Sequence, residues 1–360
     1  MLRIIHASDF HLDSPFAALT EAQAALRRKE QRALLRELRD AAAGADLVLL
    51  PGDLLDSGFC HGETAAALEE FLNSLPGEVF LAPGNHDYYA SESPYARMEL
   101  HENIHIFTDS TLTPVELPAL GCTVWGAAFT NRRSRGLLHG FSALQDGQTH
   151  LMLLHGDVGA AGGDYGPISE ADIAASGLKY LALGHVHACS GLRKAGDTFW
   201  AYPGCLMGRG FDEQGEKGFL RVELDGADCR TQFVPLSGRQ YAEVAVNVTD
   251  AEDLTEAIRA KLPEGAEKHI FRILLRGEWP EKPNTAALTE ALSAFCYQAE
   301  VRDETRLQRD LWDAVSDDSL RGCFLRVLKE KYDAASEAEK PKIILAARYG
   351  LAALDYREDL

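Results

Sequence analysis

The sequence predicts an α/β protein: a layered sheet core with helices on its outer faces, then a small α+β domain and C-terminal helices. Three observations carry this reading. Short apolar runs alternate with helical patterns through the first part of the chain, several of those runs stop at glycine, aspartate, asparagine or histidine, and the pattern changes near residue 235. Strand, helix and strand in alternation bury their apolar faces when helices cover a sheet.

Residues 2–7 (LRIIHA) read as a short buried strand. Residues 20–43 set Leu26, Leu34, Leu35 and Leu38 among charges at helical spacing. Residues 45–53 form a second strand, 62–75 a helix and 78–87 a third strand. Further strands are expected at 122–129, 149–157 and 179–187, with 199–204 and 217–224 completing the sheets. Beyond 235, YAEVAVNV alternates as a strand, AEDLTEAIRAKL as a helix and HIFRILLRGEW as a strand. TAALTEALSAFC is again helical, and YQAEVRDE suits a strand. The chain therefore divides into a sheet core at 1–234, an α+β domain at 235–305 and a helical region at 306–360. In the last region Leu320, Phe324, Leu325 and Leu328 make one stripe, and Pro341 suits the first turn of the final helix.

A chain of 360 residues can bury a sizeable core. Its 46% hydrophobic and 25% charged residues are ordinary for a globular protein. No 18-residue uncharged apolar stretch is present to span a membrane, and the opening MLRIIHASDFHLD does not have the pattern of a signal peptide. Seven scattered cysteines without a CxxC pair fit a reducing cytoplasm better than a disulfide framework or a thiolate zinc site. The net charge of −19 disfavours non-specific nucleic-acid binding. A metal centre reverses the field locally, however, and the basic residues are clustered. One cluster lies in LRRKEQRALLRELR (26–39), and the other is Arg132, Arg133 and Arg135 in NRRSRG. Each reads either as a solvated face or as a phosphate contact, and the loop cluster is the better placed for phosphate.

The residues at the strand exits carry the chemistry. They are Asp9 and His11; Gly52 and Asp53; Gly84, Asn85, His86 and Asp87; His155 and Asp157; and Gly184, His185 and His187. Ligands of open α/β sheets bind outside the carboxyl ends of the strands, so these groups gather on one rim. One such residue alone would ordinarily be a cap or a bridge; five groups together predict a site. Oxygen and imidazole donors without cysteine suit divalent ions such as manganese, iron or zinc. The donors are too many for one ion, whereas two ions sharing a carboxylate use them economically and can clamp a phosphoryl displacement. His185 and His187, two apart in an extended segment, are expected to point the same way, with Val186 turned into packing.

In DFH, GDLLD, GNHD, HGD and GHVH, taken in that order, the chain resembles the calcineurin-like metallophosphoesterase superfamily. RIIHASDFHLDSPF, GDLLDSG and the added small domain look like its DNA repair exonuclease branch, which is SbcD-like. HLDSPF and ILAARYGLAALDYRED look most like a YhaO-type subgroup. The resemblance implies two divalent ions, Mn2+ foremost. Asp9, His11 and His187 would hold one, Asp53 would bridge both, and Asn85, His155 and His185 would complete the second. It also implies that His86 donates a proton to the leaving oxygen and that Asp56 orients it, although some members of the branch carry histidine at the Asp56 position. Asp87 and Asp157 are then local structural groups, and Tyr88 and Tyr89 either stack on a base or pack the loop.

The 235–305 domain would cap the cleft and help position DNA, the C-terminal helices would dock an SMC-like coiled-coil ATPase, and the chain would form a homodimer. The implied function is two-metal-dependent phosphodiester hydrolysis of DNA, by an exonuclease subunit in DNA repair or end processing. The alternative is a phosphatase or phosphodiesterase for a small nucleotide or other phosphoester, because the motifs specify the reacting phosphate and not what hangs from it. A binding protein with a dead site is disfavoured, since every expected ligand position holds a competent residue.

Overall fold

The computed structural model describes residues 1–159, 162–307 and 311–354. In chain order it begins β1 (Leu2–His6), α1 (Glu21–Ala41), β2 (Leu47–Leu50), α2 (Gly62–Ser74), β3 (Glu78–Leu81) and β4 (Ile104–Ile106). There follow β5 (Thr113–Leu117), β6 (Cys122–Gly126), β7 (Thr149–His155), α3 (Glu170–Ala175) and β8 (Tyr180–Gly184). β9 (Arg193–Ala195), β10 (Thr198–Ala201), β11 (Gly218–Asp225) and β12 (Asp228–Pro235) come next. The remainder is β13 (Tyr241–Asn247), α4 (Leu254–Arg259), β14 (Ile270–Trp279), α5 (Thr285–Leu292), β15 (Gln298–Leu307), α6 (Leu320–Ala334) and α7 (Lys340–Leu354).

Chain contacts divide the protein into two units, Met1–Ala242 with Lys268–Ile270, and Glu243–Glu267 with Phe271–Leu360. In the first unit two six-stranded sheets have the orders β12–β11–β1–β2–β3–β4 and β5–β6–β7–β8–β10–β9. β1 to β4 pair in parallel, as do β6, β7, β8 and β10, while β11, β12, β5 and β9 add antiparallel edges.

Side chains alternate across the strands, so each sheet offers two apolar faces. Ile4, Leu47, Leu49 and Phe80 pack inward against Val124, Leu151, Leu153 and Tyr180 of the other sheet. Val48, Leu50 and Val79 face outward onto Leu34, Leu38, Leu68 and Leu72 of α1 and α2. Met152, Leu154, Leu181 and Leu183 meet Ile173 of α3 on the far side. With both faces covered, β2 is buried along its whole length, which is why it reads as a continuous apolar run. α1 starts where the Thr20 side chain and Gln23 form a reciprocal capping box.

One polar group sits between the sheets. His6 of β1 is fully buried, its Nδ1 lying 2.9 Å from the Tyr180 hydroxyl and its Nε2 3.1 Å from the Leu183 carbonyl, both on β8. Burial drives its pKa down to about 3, so the ring is neutral. Nε2 donates to the carbonyl and Nδ1 accepts from the tyrosine, which satisfies both nitrogens.

In the second unit β13, β14 and β15 form a three-stranded sheet. Arg272 on the central strand holds Glu243 at 2.7 Å and Glu300 at 3.1 Å on its neighbours, a cross-strand ladder. Asp253, Asn284 and Ser319 cap α4, α5 and α6. The expected stripe on α6 is broken. Leu325 is buried, but Leu320, in the first turn, is 73% exposed. Among the described residues no helix is long and apolar enough to cross a membrane, and all seven cysteines are free.

The parallel strands end earlier than the sequence reading expected, β2 at Leu50, β3 at Leu81 and β8 at Gly184. The polar exits therefore lie in loops beyond the ladders. β4, β5, β9, β12 and α3 were not anticipated. They are mostly short or partly exposed, so periodicity had little length to act on.

Candidate metal centre

The loops after β1 and β2 are zipped together by main-chain bonds, Asp9 N–H to Gly52 O, His11 N–H to Asp53 O and Leu12 N–H to Leu54 O, at 2.9–3.1 Å. The loop after β3 is tied on by Asp87. This buried carboxylate accepts the N–H groups of Asp53, Leu54, Leu55 and Gly84 and the Tyr95 hydroxyl. It is thus a structural clamp between the GDLLD and GNHD loops. The loop after β8 is joined to the first by the His185 N–H, which lies 3.0 Å from Asp9 Oδ1. Two glycines are required by closeness. A Cβ on Gly84 would overlap Asp53 Oδ1 and come 2.8 Å from His155 Nδ1, and one on Gly184 would overlap the Pro51 carbonyl.

These ties force unusual backbone. Asp9, His11, Asp53 and His185 all have positive φ, of 55°, 46°, 52° and 105°. Non-glycine residues rarely adopt such angles, and the strain persists only where the surroundings over-determine it. It also corrects the sequence reading of GHVH. His185 is not extended, so the two histidines do not share a direction through strand periodicity. The chain turns at His185, which faces Asp53 and His155, while His187 faces Asp9 and His11.

The donor atoms fall into three linked groups, each with its atoms within 4.8 Å of one another: Asp9, His11 and His187; His11, Asp53 and His86; Asp53, His155 and His185. Asp53 Oδ2 lies 3.8 Å from His11 Nε2 and 3.3 Å from His155 Nε2, so a single carboxylate stands between the outer groups. Asn85 joins through Oδ1, which is 2.9 Å from His155 Nε2. All seven residues expected as ligands are brought into this cluster.

The far sides of the rings show what the cluster fits. His11 Nδ1 meets the Asp56 carboxylate at 3.1 Å, His187 Nδ1 the Glu213 carboxylate at 2.6 Å, and His155 Nδ1 the Pro51 carbonyl at 3.0 Å. Each Nδ1 therefore carries the proton, which leaves Nε2 as a lone pair in the neutral ring. Yet His11 Nε2 and His187 Nε2 face each other at 3.1 Å, and His155 Nε2 faces the oxygens of Asn85 and Asp53. A lone pair converging on a lone pair calls for a cation between His11 and His187, while in the metal-free site a proton on His155 Nε2 answers the oxygens of Asn85 and Asp53. Outward Nδ1–H groups held by oxygen acceptors are the usual support for metal-binding imidazoles.

The charges respond in kind. Burial opposes ionisation of Asp53, but the charge and hydrogen bond of His155 outweigh it and hold the carboxyl well below its usual range. Burial lowers the His155 pKa, and Asp53 in turn raises it beyond that, to about 9. His185 is pushed down, first by burial and then by His155. For Glu213 burial is again the opposing effect, overcome by His187 and Arg209, so it stays ionised.

Asp56 differs from expectation. Its carboxylate accepts from His11, Ser14 and Arg209, not from His86. His86 instead places Nδ1 2.9 Å from the Asp56 main-chain carbonyl, and its own N–H donates to Asp53 Oδ1. The His86 ring is exposed, so its Nε2 is available to a substrate. Tyr89 packs against two of the hydrophobic clusters and Tyr88 is half-buried. Arg132, Arg133 and Arg135 are exposed. Their loop bridges to the 164–166 segment through Ser134, and that segment sets the Tyr165 ring 5.4 Å from the ring of His185. The basic residues of α1 are largely engaged. Arg27 is fully buried, Arg28 pairs with Glu21, Arg32 with Asp13 and Glu63, and Arg39 with Asp40.

The sequence reading missed Glu213, Arg209 and Tyr165. None belongs to a motif, and the one legible signal was the pairing of Arg209 and Glu213 four residues apart in a glycine-rich loop.

The sequence pattern of the calcineurin-like phosphoesterases matches residues 2–189 of the 360. The chain belongs to that family. It is also similar to an uncharacterized metallophosphoesterase, YhaO, of Bacillus subtilis (strain 168), at 29% identity over 340 residues, covering 88% of this chain and 81% of the relative. In a calcineurin-like phosphoesterase the clustered Asp and His groups form a metal-dependent hydrolytic centre, here of the binuclear type. Bound divalent ions would supply Lewis acidity toward phosphoryl oxygen and water. The protein supplies the carboxylate between the two half-sites and imidazoles whose Nδ1 atoms are held by oxygen acceptors.

Proposed function

We propose that this phosphoesterase hydrolyses phosphodiester bonds of DNA as a two-metal exonuclease in repair or end processing, with manganese as the working ion. The observation that carries the reading is Tyr165. Its ring is 45% exposed and lies beside the metal-facing His185, on a segment bridged to the Arg132–Arg133–Arg135 loop. An aromatic face accepts a base without regard to sequence, and exposed guanidinium groups accept phosphates. His86, in its protonated form, is on this reading the group that protonates the departing oxygen. On this reading the site ligands are Asp9, His11 and His187 for one ion and Asn85, His155 and His185 for the other, with Asp53 common to both. An SMC-like coiled-coil ATPase would supply the duplex-binding charge that a chain of net charge −19 lacks. Exposed Leu320 and Val327 on α6 and Leu345 and Tyr349 on α7 offer apolar surface for such a partner, and assembly as a homodimer in the cytoplasm completes the proposal.

The same net charge favours a second reading, a small nucleotide or other phosphoester as substrate. End-labelled single- and double-stranded DNA and an aryl phosphodiester, each incubated with Mn2+, Mg2+ or chelator, separate the two. The proposal expects metal-dependent shortening of DNA from an end. Cleavage of the aryl ester alone, with the ATPase present, would overturn it in favour of the second reading.

A further inference from the structure

We propose that Arg209, acting through Glu213 and Asp56, is the positioning residue of the half-site made by Asp9, His11 and His187, an inference that rests on the two-metal reading above. The two imidazoles of that half-site are held by different carboxylates, His11 by Asp56 at 3.1 Å and His187 by Glu213 at 2.6 Å. A single guanidinium spans both carboxylates. One terminal nitrogen lies 3.0 Å from Asp56 Oδ1, the other 2.7 Å from Glu213 Oε1, and Nε lies 3.2 Å from the same glutamate oxygen. The guanidinium is planar and rigid, so it fixes the spacing of the carboxylates and, through them, the angle at which the two Nε2 lone pairs converge.

The loop that carries Arg209 is itself held. The Arg209 N–H closes onto Glu213 Oε2 at 2.8 Å, and the adjacent Gly208 carbonyl accepts from Arg27 at 3.1 Å. Gln31, one turn further along α1, holds the His11 carbonyl at 2.9 Å. Arg27 and Gln31 are both buried, so α1 braces the two ligand histidines from behind. The other half-site is built differently. His155 Nδ1 rests on the Pro51 main-chain carbonyl. The histidines of the first half-site thus lean on carboxylates that Arg209 joins, whereas His155 of the second leans on a main-chain carbonyl, so removal of Arg209 is expected to act on the first.

Titration of Mn2+ into the metal-free full-length chain by calorimetry tests this. His187→Asn and His185→Asn proteins identify which binding step belongs to which half-site. Arg209→Gln is expected to weaken the step lost in His187→Asn by about 10- to 100-fold and to leave the other within about threefold. Glu213→Gln is expected to do the same. Arg209→Lys keeps the charge without the fork, so its loss falls between wild type and Arg209→Gln, and it carries the test if Arg209→Gln does not fold. Equal weakening of both steps, no weakening of either, or an Arg209→Lys protein equal to wild type would overturn the proposal. A wild-type chain that takes up no second Mn2+ would overturn the two-metal reading first, and this inference with it.

Discussion

Proton release should accompany metal loading, and His155 sets its size. In the metal-free protein the neighbouring Asp53 outweighs burial and carries the His155 pKa up to about 9. Its Nδ1 already donates to the Pro51 carbonyl, so the additional proton sits on Nε2, the atom that a metal needs. At pH 7, below that value, most metal-free chains carry this proton. Metal binding must displace it, which makes the apparent affinity at pH 7 weaker than that of the deprotonated site, on the order of 100-fold. Affinity therefore climbs about tenfold per pH unit from pH 7 toward 8.5, and about one proton leaves at pH 7 through this group. Calorimetric titration of Mn2+ in buffers of matched pH and different ionisation enthalpy measures both quantities. Heats independent of the buffer, together with an affinity flat between pH 6.5 and 8.5, would refute the reasoning.

The same pair gives the metal-free fold a pH signature. His155, raised from 6.5, stabilises fully below 6.5 and loses that contribution as pH rises through about 9, whereas Asp53, lowered from 3.8, stabilises above 3.8 and loses its contribution only in stronger acid. The melting temperature of metal-free protein should thus fall between pH 6.5 and 9 while that of Mn2+-loaded protein does not, as scanning fluorimetry will show. Gly84→Ala drives a methyl group into Asp53, so Mn2+ binding should weaken by at least about tenfold although every ligand is retained; unchanged calorimetric affinity would contradict the close approach. His86→Gln should keep both ions and lose about 10²- to 10⁴-fold in turnover of an aryl phosphodiester, measured at saturating Mn2+. Tyr165→Ala should weaken single-stranded DNA binding by about 1–3 kcal/mol, read by fluorescence anisotropy.

Much of the site was legible because a parallel sheet collects its strand exits on one rim. Asp9, His11, Asp53, Asn85, His155, His185 and His187 each follow an apolar run, so their convergence could be read without coordinates. What lay beyond reach was orientation. Positive φ at His185 cannot be seen in the letters GHVH, and strand alternation suggested a different geometry. Asp56 faces His11 and not His86 because the zipped loops carry its side chain toward the first ligand loop, a tertiary outcome with no local signal. Arg209 and Glu213 stand in a loop after the last motif, where only the fold brings them behind His187. For the architecture, fully buried strands such as β2 announced themselves, whereas three-residue β4 and β9 offered too little sequence to show a period.

His6 joins the two layers at the strand just ahead of the first ligand loop, and its partners Tyr180 and Leu183 stand just ahead of the His185 turn. Any parting of the layers would open the jaws that close on the ions. Bound ions would in return act as rivets across the seam, so that occupancy of the centre would add to the cohesion of the sandwich.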